Sequence, residues 1–387
     1  MLEKNSIDLL QSLISFDTTS YKSNLKLIQF VESYLNDFGI KSTLIYDSDR
    51  KKANLYATIG PDSIRGVMLS GHTDVVPVDG QDWKYDPFSL TQKEEKLFGR
   101  GSADMKGFLA LALSRVPNMA KANLSKPIHL AFSYDEEIGC VGVHSLIDLI
   151  KHSPICPEYC IVGEPTSMEV VIGHKGKCGY HATVKGLACH SGQAPLGVNA
   201  INYAAKLMLY ISKLAKEKSL KGPFDHDFEI PYTTLHTGLV SGGTVVNIVP
   251  DICQFEFEIR HLAEDSPKEI LSKIESHVQE SILPEMHKVS KETDIHIEEK
   301  VSYPGLLIEK DSDLVKFIKK LLGNQSHKKE IFGSEGGLFQ NKLNLPTVVC
   351  GPGNISQAHK ANEFISLDQL ARGGKFLDSL INSLIKY

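Results

Sequence analysis

No dense run of lysine and arginine, and no interleaving of aromatics with basic residues, occurs along this chain, and its net charge is −5. A polyanion has nothing to hold here, so nucleic acid is excluded as an expected partner. No apolar run approaches the roughly 18 residues that span a bilayer, so no membrane partner is expected either. The opening residues, Met1-Leu2-Glu3-Lys4-Asn5, lack the basic-then-apolar layout of a secretory signal. Cysteines are few: seven, scattered, odd in number and free of zinc-ribbon spacing. Cys156 and Cys160 lie close together, but one pair argues neither a redox motif nor a structural zinc. Reduced, buried thiols in a cytoplasmic protein are the expectation. The Asn-x-Ser matches at Asn123, Asn324 and Asn354 then carry no sugar. Internal repeats, low-complexity tracts and long linkers are also missing.

What is present is an ordinary globular composition, 42% apolar and 23% charged, over 387 residues, enough for about two domains with their own cores. In the first part, helices alternate with strands. Leu27, Ile28, Val31, Leu35 and Phe38 form a helical stripe that stops at Gly39. Short apolar strands over Val67–Leu69, Ile128–Tyr134 and Tyr159–Val162 are separated by helical patterns near Leu109–Val116 and Val143–Ile150. This alternation predicts an α/β fold, a mostly parallel sheet with helices on both faces. The rhythm changes after about Gly176. A strand over Tyr180–Lys185, a helix over Asn199–Lys216, strands over Thr233–Leu239, Val245–Val249 and Cys253–Arg260, a helix over Pro267–Ile282 and a strand over Asp294–Glu299 suit an inserted α+β domain. Alternation then resumes with Asp313–Leu322, Thr347–Cys350 and Leu367–Ile385.

The chemistry lies at the strand ends. His72 follows the first strand, the pair Glu136-Glu137 the second and Glu164 the third, while Asp104 and His359 stand in loops. Ligands of open α/β sheets gather outside the carboxyl ends of the strands, so these groups are expected to meet there. A short carboxylate such as Asp104 can bridge two ions about 3.5–4 Å apart. His72 with Glu164 would complete one site, and Glu137 with His359 the other, each with three ligands and an open position suited to catalysis. Adjacent strand residues point to opposite faces, so one glutamate can bind metal while the other acts as base. Glu137 is assigned as ligand and Glu136 as general base. Asp74, two residues beyond His72, is placed to accept the second ring N–H of that histidine. Taken singly, each of these residues reads more simply as a surface cap or solvated charge. Jointly they read as a two-metal hydrolase.

The segments Gly71-His72-Thr73-Asp74-Val75-Val76-Pro77, Gly99-Arg100-Gly101-Ser102-Ala103-Asp104-Met105-Lys106-Gly107, Asp135-Glu136-Glu137 and Gly163-Glu164-Pro165-Thr166 resemble the signatures of the aminoacylase and dinuclear zinc exopeptidase family. The resemblance covers nearly the whole chain. It implies a zinc exopeptidase-like catalytic domain from residues 1–177 and 302–387, interrupted by a ferredoxin-like lid over 178–301. It implies two divalent ions, zinc with cobalt as a substitute, and a cis peptide after Asp104. A homodimer formed through the lid, and an N-acyl amino acid as the small-molecule substrate, follow from it as well. Within the lid, His190 matches a histidine that polarises the scissile carbonyl, and Asn247 and Arg260 match substrate-holding positions. The stretches Gly173-His174-Lys175-Gly176, Pro231-Tyr232-Thr233-Thr234-Leu235 and Gly351–His359 resemble the members that deacetylate N-acetyl-L-ornithine. So does Ser334-Glu335, whose carboxylate would meet the substrate's side-chain ammonium. Gly336-Gly337 and Cys189 depart from that pattern. The alternative is a desuccinylase of diaminopimelate, or another amidohydrolase or dipeptidase of the same kind.

Overall fold

The computed structural model describes residues 2–386 and divides into two compact units. One comprises residues 2–173, 306–330 and 334–386; the other comprises 174–305 and 331–333. Each has its own apolar core.

The first unit begins with helices α1 (Leu2–Ser15) and α2 (Leu25–Asn36), then strands β1 (Ser42–Tyr46), β2 (Ala53–Ile59), β3 (Val67–His72), β4 (Thr91–Lys93) and β5 (Lys96–Phe98). It continues with α3 (Lys106–Lys121), β6 (Ile128–Ser133), α4 (Val143–His152), β7 (Tyr159–Pro165) and β8 (Val170–His174). The inserted unit supplies β9 (Gly176–Lys185), α5 (Ala200–Lys221), β10 (Thr234–Gly242), β11 (Ile252–His261), α6 (Pro267–His277), α7 (Leu283–Met286) and β12 (Asp294–Tyr303). The chain closes the first unit with β13 (Leu306–Leu307), α8 (Asp313–Leu322), β14 (His327–Glu330), α9 (Gly336–Leu343), β15 (Thr347–Gly351), β16 (Phe364–Ser366) and α10 (Leu367–Ser383).

The large sheet runs β1-β2-β6-β3-β7-β15-β8-β13, with β14 also on β8. Its central strands β6, β3, β7 and β15 are parallel, while β1, β2 and β8 pair antiparallel at the flanks. Strands β3 and β6 are buried at every position, as expected where helices cover both faces. Helices α1, α2, α3, α8 and α10 share one core with the sheet, whereas α4 and α9 pack on each other outside it. Gly163 in β7 permits this packing. A Cβ there would stand 2.1 Å from the ring of Phe108 on α3, so only glycine admits the helix at the residue before Glu164.

The inserted unit has the order β10-β11-β9-β12, all antiparallel. A βαββαβ chain with its fourth, first, third and second strands side by side is ferredoxin-like. Strand β11 alternates, burying Cys253, Phe255, Phe257 and Ile259 against α5 and α6 and exposing Gln254 and Glu256. Two expected elements differ. Val245–Val249 is a loop: β10 ends at Gly242, Gly243 takes φ +76°, and Val245 and Val246 are exposed. Its β-branched residues favour extended backbone, but it finds no partner strand beyond one bridge from Ile248 to His190. The helix from Pro267 ends at His277 and passes through a π turn, Val278–Ile282, into α7.

Candidate metal centre

Three parallel strands deliver their last residues to one rim. β3 ends at His72, β7 carries Glu164 as its penultimate residue, and β6 ends at Ser133, three residues before Glu136. After Ser133 the chain turns sharply. Asp135 adopts φ +56°, and the carbonyl of Glu136 accepts from the N–H groups of Gly139 and Cys140. The turn spares the two glutamates the strict alternation of a strand. Asp104 closes the loop before α3 without capping it, and the Asp104-Met105 peptide is cis, as the resemblance implies.

These residues form two trios that share Asp104. His72 Nε2 lies 3.1 Å from Asp104 Oδ1 and 3.8 Å from Glu164 Oε1. His359 Nε2 lies 3.4 Å from Asp104 Oδ2 and 3.0 Å from Glu137 Oε2. Within each trio, one ligand atom per residue falls within 4.8 Å of the others. His72, Asp104 and Glu164 are buried; His359 is 55% exposed and takes φ +61°.

The electrostatics show a cluster short of positive charge. Burial alone would depress the His72 imidazole, yet Glu164, Asp104 and Asp74 pull its pKa well above the ordinary value. His359 is raised to about 10 by its hydrogen bonds to Asp104 and Glu137. Burial would raise Asp104, but the two histidines hold its carboxyl well below the usual range. Burial, with the Asp104 charge, pushes Glu137 up to about 7. Glu136 and Glu164 are raised mainly by burial. Among the described residues, no lysine or arginine pairs with these carboxylates. Nitrogen and oxygen donors converging with one carboxylate in common suit two divalent cations, which would supply that charge. The donor set fits the expected ions.

Asp74 does more than expected, and differently. The His72 Nδ1 hydrogen bond goes to the Asp74 main-chain carbonyl at 2.9 Å, while carboxylate Oδ1 stands 3.5 Å away. The carboxylate is turned instead toward Glu136 N–H, Glu137 N–H and the Ser20 hydroxyl. Cys140, which sequence reasoning passed over, donates its thiol to Glu136 Oε1 at 3.4 Å.

Of the expected substrate groups, His190, Asn247 and Arg260 belong to the inserted unit, and Ser334 and Glu335 to the first. His190 and Asn247 stand on neighbouring segments of the inserted unit, joined by Ser191 N–H to the Asn247 carbonyl at 2.9 Å. His190 Nδ1 accepts from Gly192 N–H, so a neutral ring carries its proton on Nε2. Arg260 is already engaged: its Nε lies 3.0 Å from Glu258 Oε1, and its Nη1 donates to the Tyr303 hydroxyl. Ser334 and Glu335, expected at an amine site, are enclosed. They are 0% and 1% exposed, and neither Glu335 oxygen has a hydrogen-bond partner. Burial pushes the Glu335 carboxyl up to about 7.

Fold and site together define a dinuclear metal amidohydrolase. The profile of peptidase family M20/M25/M40 matches residues 68–383, and the chain belongs to that family. It is 33% identical over 373 residues to an acetylornithine deacetylase of Pasteurella multocida, covering 96% of this chain and 94% of that one. It is 31% identical over 376 residues to an acetylornithine deacetylase of Aliivibrio salmonicida, covering 97% and 94%. Among solved structures, an M20 family metallo-carboxypeptidase of Sulfolobus solfataricus superposes with a TM-score of 0.78 at 21% identity, covering 97% and 98%. A dinuclear metal-binding M20 peptidase of Bacillus subtilis gives 0.67 at 13% identity, covering 99% and 98%. These two likenesses concern the fold. Among the described residues, no helix is long and apolar enough to cross a membrane.

Proposed function

We propose that the protein hydrolyses the acetyl amide of N-acetyl-L-ornithine, releasing acetate and L-ornithine, in arginine biosynthesis in the cytoplasm. The observation that carries the chemistry is the pair of trios sharing Asp104, with Glu136 beside them and outside both. The choice of substrate rests on the relatives named acetylornithine deacetylase, which align over nearly the whole chain.

His72, Asp104 and Glu164 would hold one ion, and Asp104, Glu137 and His359 the other. Zinc is the proposed occupant, with cobalt able to replace it. Two such ions supply Lewis-acid activation of water and of an acyl carbonyl. Glu136, raised by burial and bonded through Oε1 to Cys140, takes the proton of the attacking water on its other oxygen. It then returns that proton to the leaving nitrogen. His190, with its proton on Nε2, is a preset donor for the developing oxyanion. Asn247 offers an exposed amide, and Arg260 binds the substrate's α-carboxylate by exchanging it for Glu258.

A homodimer through the inserted unit is part of the same reading. Strand β10 is an edge of its sheet, and Leu239 and Val240 on it are 64% and 60% exposed. An apolar open edge is a template for a second chain.

The test is hydrolysis of N-acetyl-L-ornithine and N-succinyl-L,L-diaminopimelate side by side, with zinc or cobalt supplied and EDTA controls. Chelator-sensitive release of ornithine, with the succinyl substrate far slower, is the expected result. Preference for the succinyl compound would overturn the choice of substrate and leave the metal chemistry standing.

A further inference from the structure

Two buried charged side chains next to the centre have no part in the chemistry so far. Arg100 and Glu363 are each 1% exposed and meet at 2.8 Å. Their bonds do not stop at each other. Glu363 Oε1 accepts from the backbone N–H of Ala103 at 2.9 Å and of Asp104 at 3.0 Å. Oε2 accepts from Gly101 N–H at 3.0 Å as well as from Arg100 Nη1. One carboxylate thus gathers the turn that ends in the shared metal ligand.

The arrangement is set by the small sheet beneath it. Strands β5 and β16 pair antiparallel, and Gly99 N–H extends the ladder to the Glu363 carbonyl at 3.0 Å. The chain leaving β5 toward Asp104 therefore runs beside the chain entering β16 from His359. From Arg100 the bonds continue toward that histidine. Nη1 reaches the Lys360 carbonyl at 3.3 Å, and Nη2 reaches Gln81 Oε1 at 2.6 Å. Gln81 Nε2 then donates to the His359 carbonyl at 3.0 Å. Trp83 lies over the guanidinium, 5.0 Å from ring centre to Cζ, and donates its indole N–H to the same Gln81 oxygen.

We infer that Glu363 is a positioning residue for the ion held by Asp104, Glu137 and His359, tying the backbone of the first to the segment that bears the last through Arg100 and Gln81. The inference rests on the two-metal reading above. Burying an ion pair is no gain in itself, since desolvation offsets the attraction. Here the pair's remaining bonds reach the main chain of one ligand, Asp104, directly and that of another, His359, through Gln81, and those two ligands are 255 residues apart in sequence. His359 has the greatest need of it, being 55% exposed with a left-handed backbone and so poorly fixed by packing. Groups that orient metal ligands in this way typically govern metal affinity by about 10–100-fold.

The experiment is a Co2+ titration of metal-stripped, full-length protein, followed by calorimetry and by visible absorption. The wild type should take up two equivalents; fewer would overturn the two-metal reading itself, and the inference with it. Glu363→Gln, which loses the charge and half the acceptors, should bind one equivalent nearly as before and the second at least tenfold more weakly, with altered absorption for that equivalent. Glu363→Asp, which keeps the charge but not the reach, should recover part of the loss. Gln81→Ala alters a half-buried side chain that bonds His359, Arg100 and Trp83 but no atom of Asp104, so it should weaken the same equivalent alone. It decides the matter if Glu363→Gln fails to fold. Folded variants in which both equivalents bind as in the wild type, or in which both weaken alike, would overturn the inference.

Discussion

Asp74 holds the backbone of Glu136: its Oδ1 accepts from the Glu136 N–H at 3.1 Å, and its Oδ2 accepts from the Glu137 N–H at 3.2 Å. One carboxylate, 2% exposed, thereby fixes the turn from which both the proposed base and a proposed metal ligand project. Its main-chain carbonyl meanwhile meets His72 Nδ1 at 2.9 Å. Asp74→Asn would leave a single acceptor and set an NH2 group against one of the two N–H donors. The variant should bind metal roughly 10–100-fold more weakly, as for other groups that orient ligands, and kcat should fall with it. Calorimetric titration with zinc alongside initial rates would measure both. An unchanged affinity would show that the backbone of this turn holds itself.

Glu335 gives a pH signature. Burial raises its carboxyl from the ordinary 4.5 to about 7, so the folded chain keeps a proton that the unfolded chain has already released. Stability therefore falls as pH rises from about 4.5 to 7, by up to about 3 kcal/mol for a shift of this size. In metal-free protein, Glu335→Gln should melt higher than the wild type at pH 8 and similarly at pH 4.5. Thermal unfolding across that range is the measurement. Parallel curves for the two proteins would mean that the carboxyl is ionised in the fold at little cost.

Gly163 leads directly into Glu164, and a methyl group there would enter the ring of Phe108. Gly163→Ala should cost about 1–3 kcal/mol, the usual penalty for overpacking a dense core. It should also displace Glu164 and weaken metal binding. Urea unfolding followed by zinc titration separates the two effects. A variant with wild-type stability would show that α3 moves aside freely.

The strand ends were legible because apolar runs stop where metal-friendly residues begin, and β3, β6 and β7 do run into His72, Glu136-Glu137 and Glu164. The inserted fold was legible from the order of its periodicities. Val245–Val249 misled because β-branched residues favour extended backbone whether or not a partner strand exists. Asp74 lies beside His72, but its carboxylate serves the backbone of residues more than sixty positions on. Glu363 had no signal of its own, since it recognises N–H groups that every residue except proline carries. The enclosure of Glu335 depends on what packs around it, which a short motif such as Ser334-Glu335 does not specify.

The assignment of Glu136 as base, separate from the ligands, is the centre of the account. It is tested most directly by measuring the turnover of N-acetyl-L-ornithine and the zinc bound per chain in Glu136→Gln. The amide keeps the shape of the side chain and removes its capacity to take a proton. Two ions per chain, as in the wild type, are expected, with kcat lower by about 10²–10⁴-fold, the range for loss of a general base. Turnover near the wild-type rate, or the loss of one ion with the substitution, would contradict it.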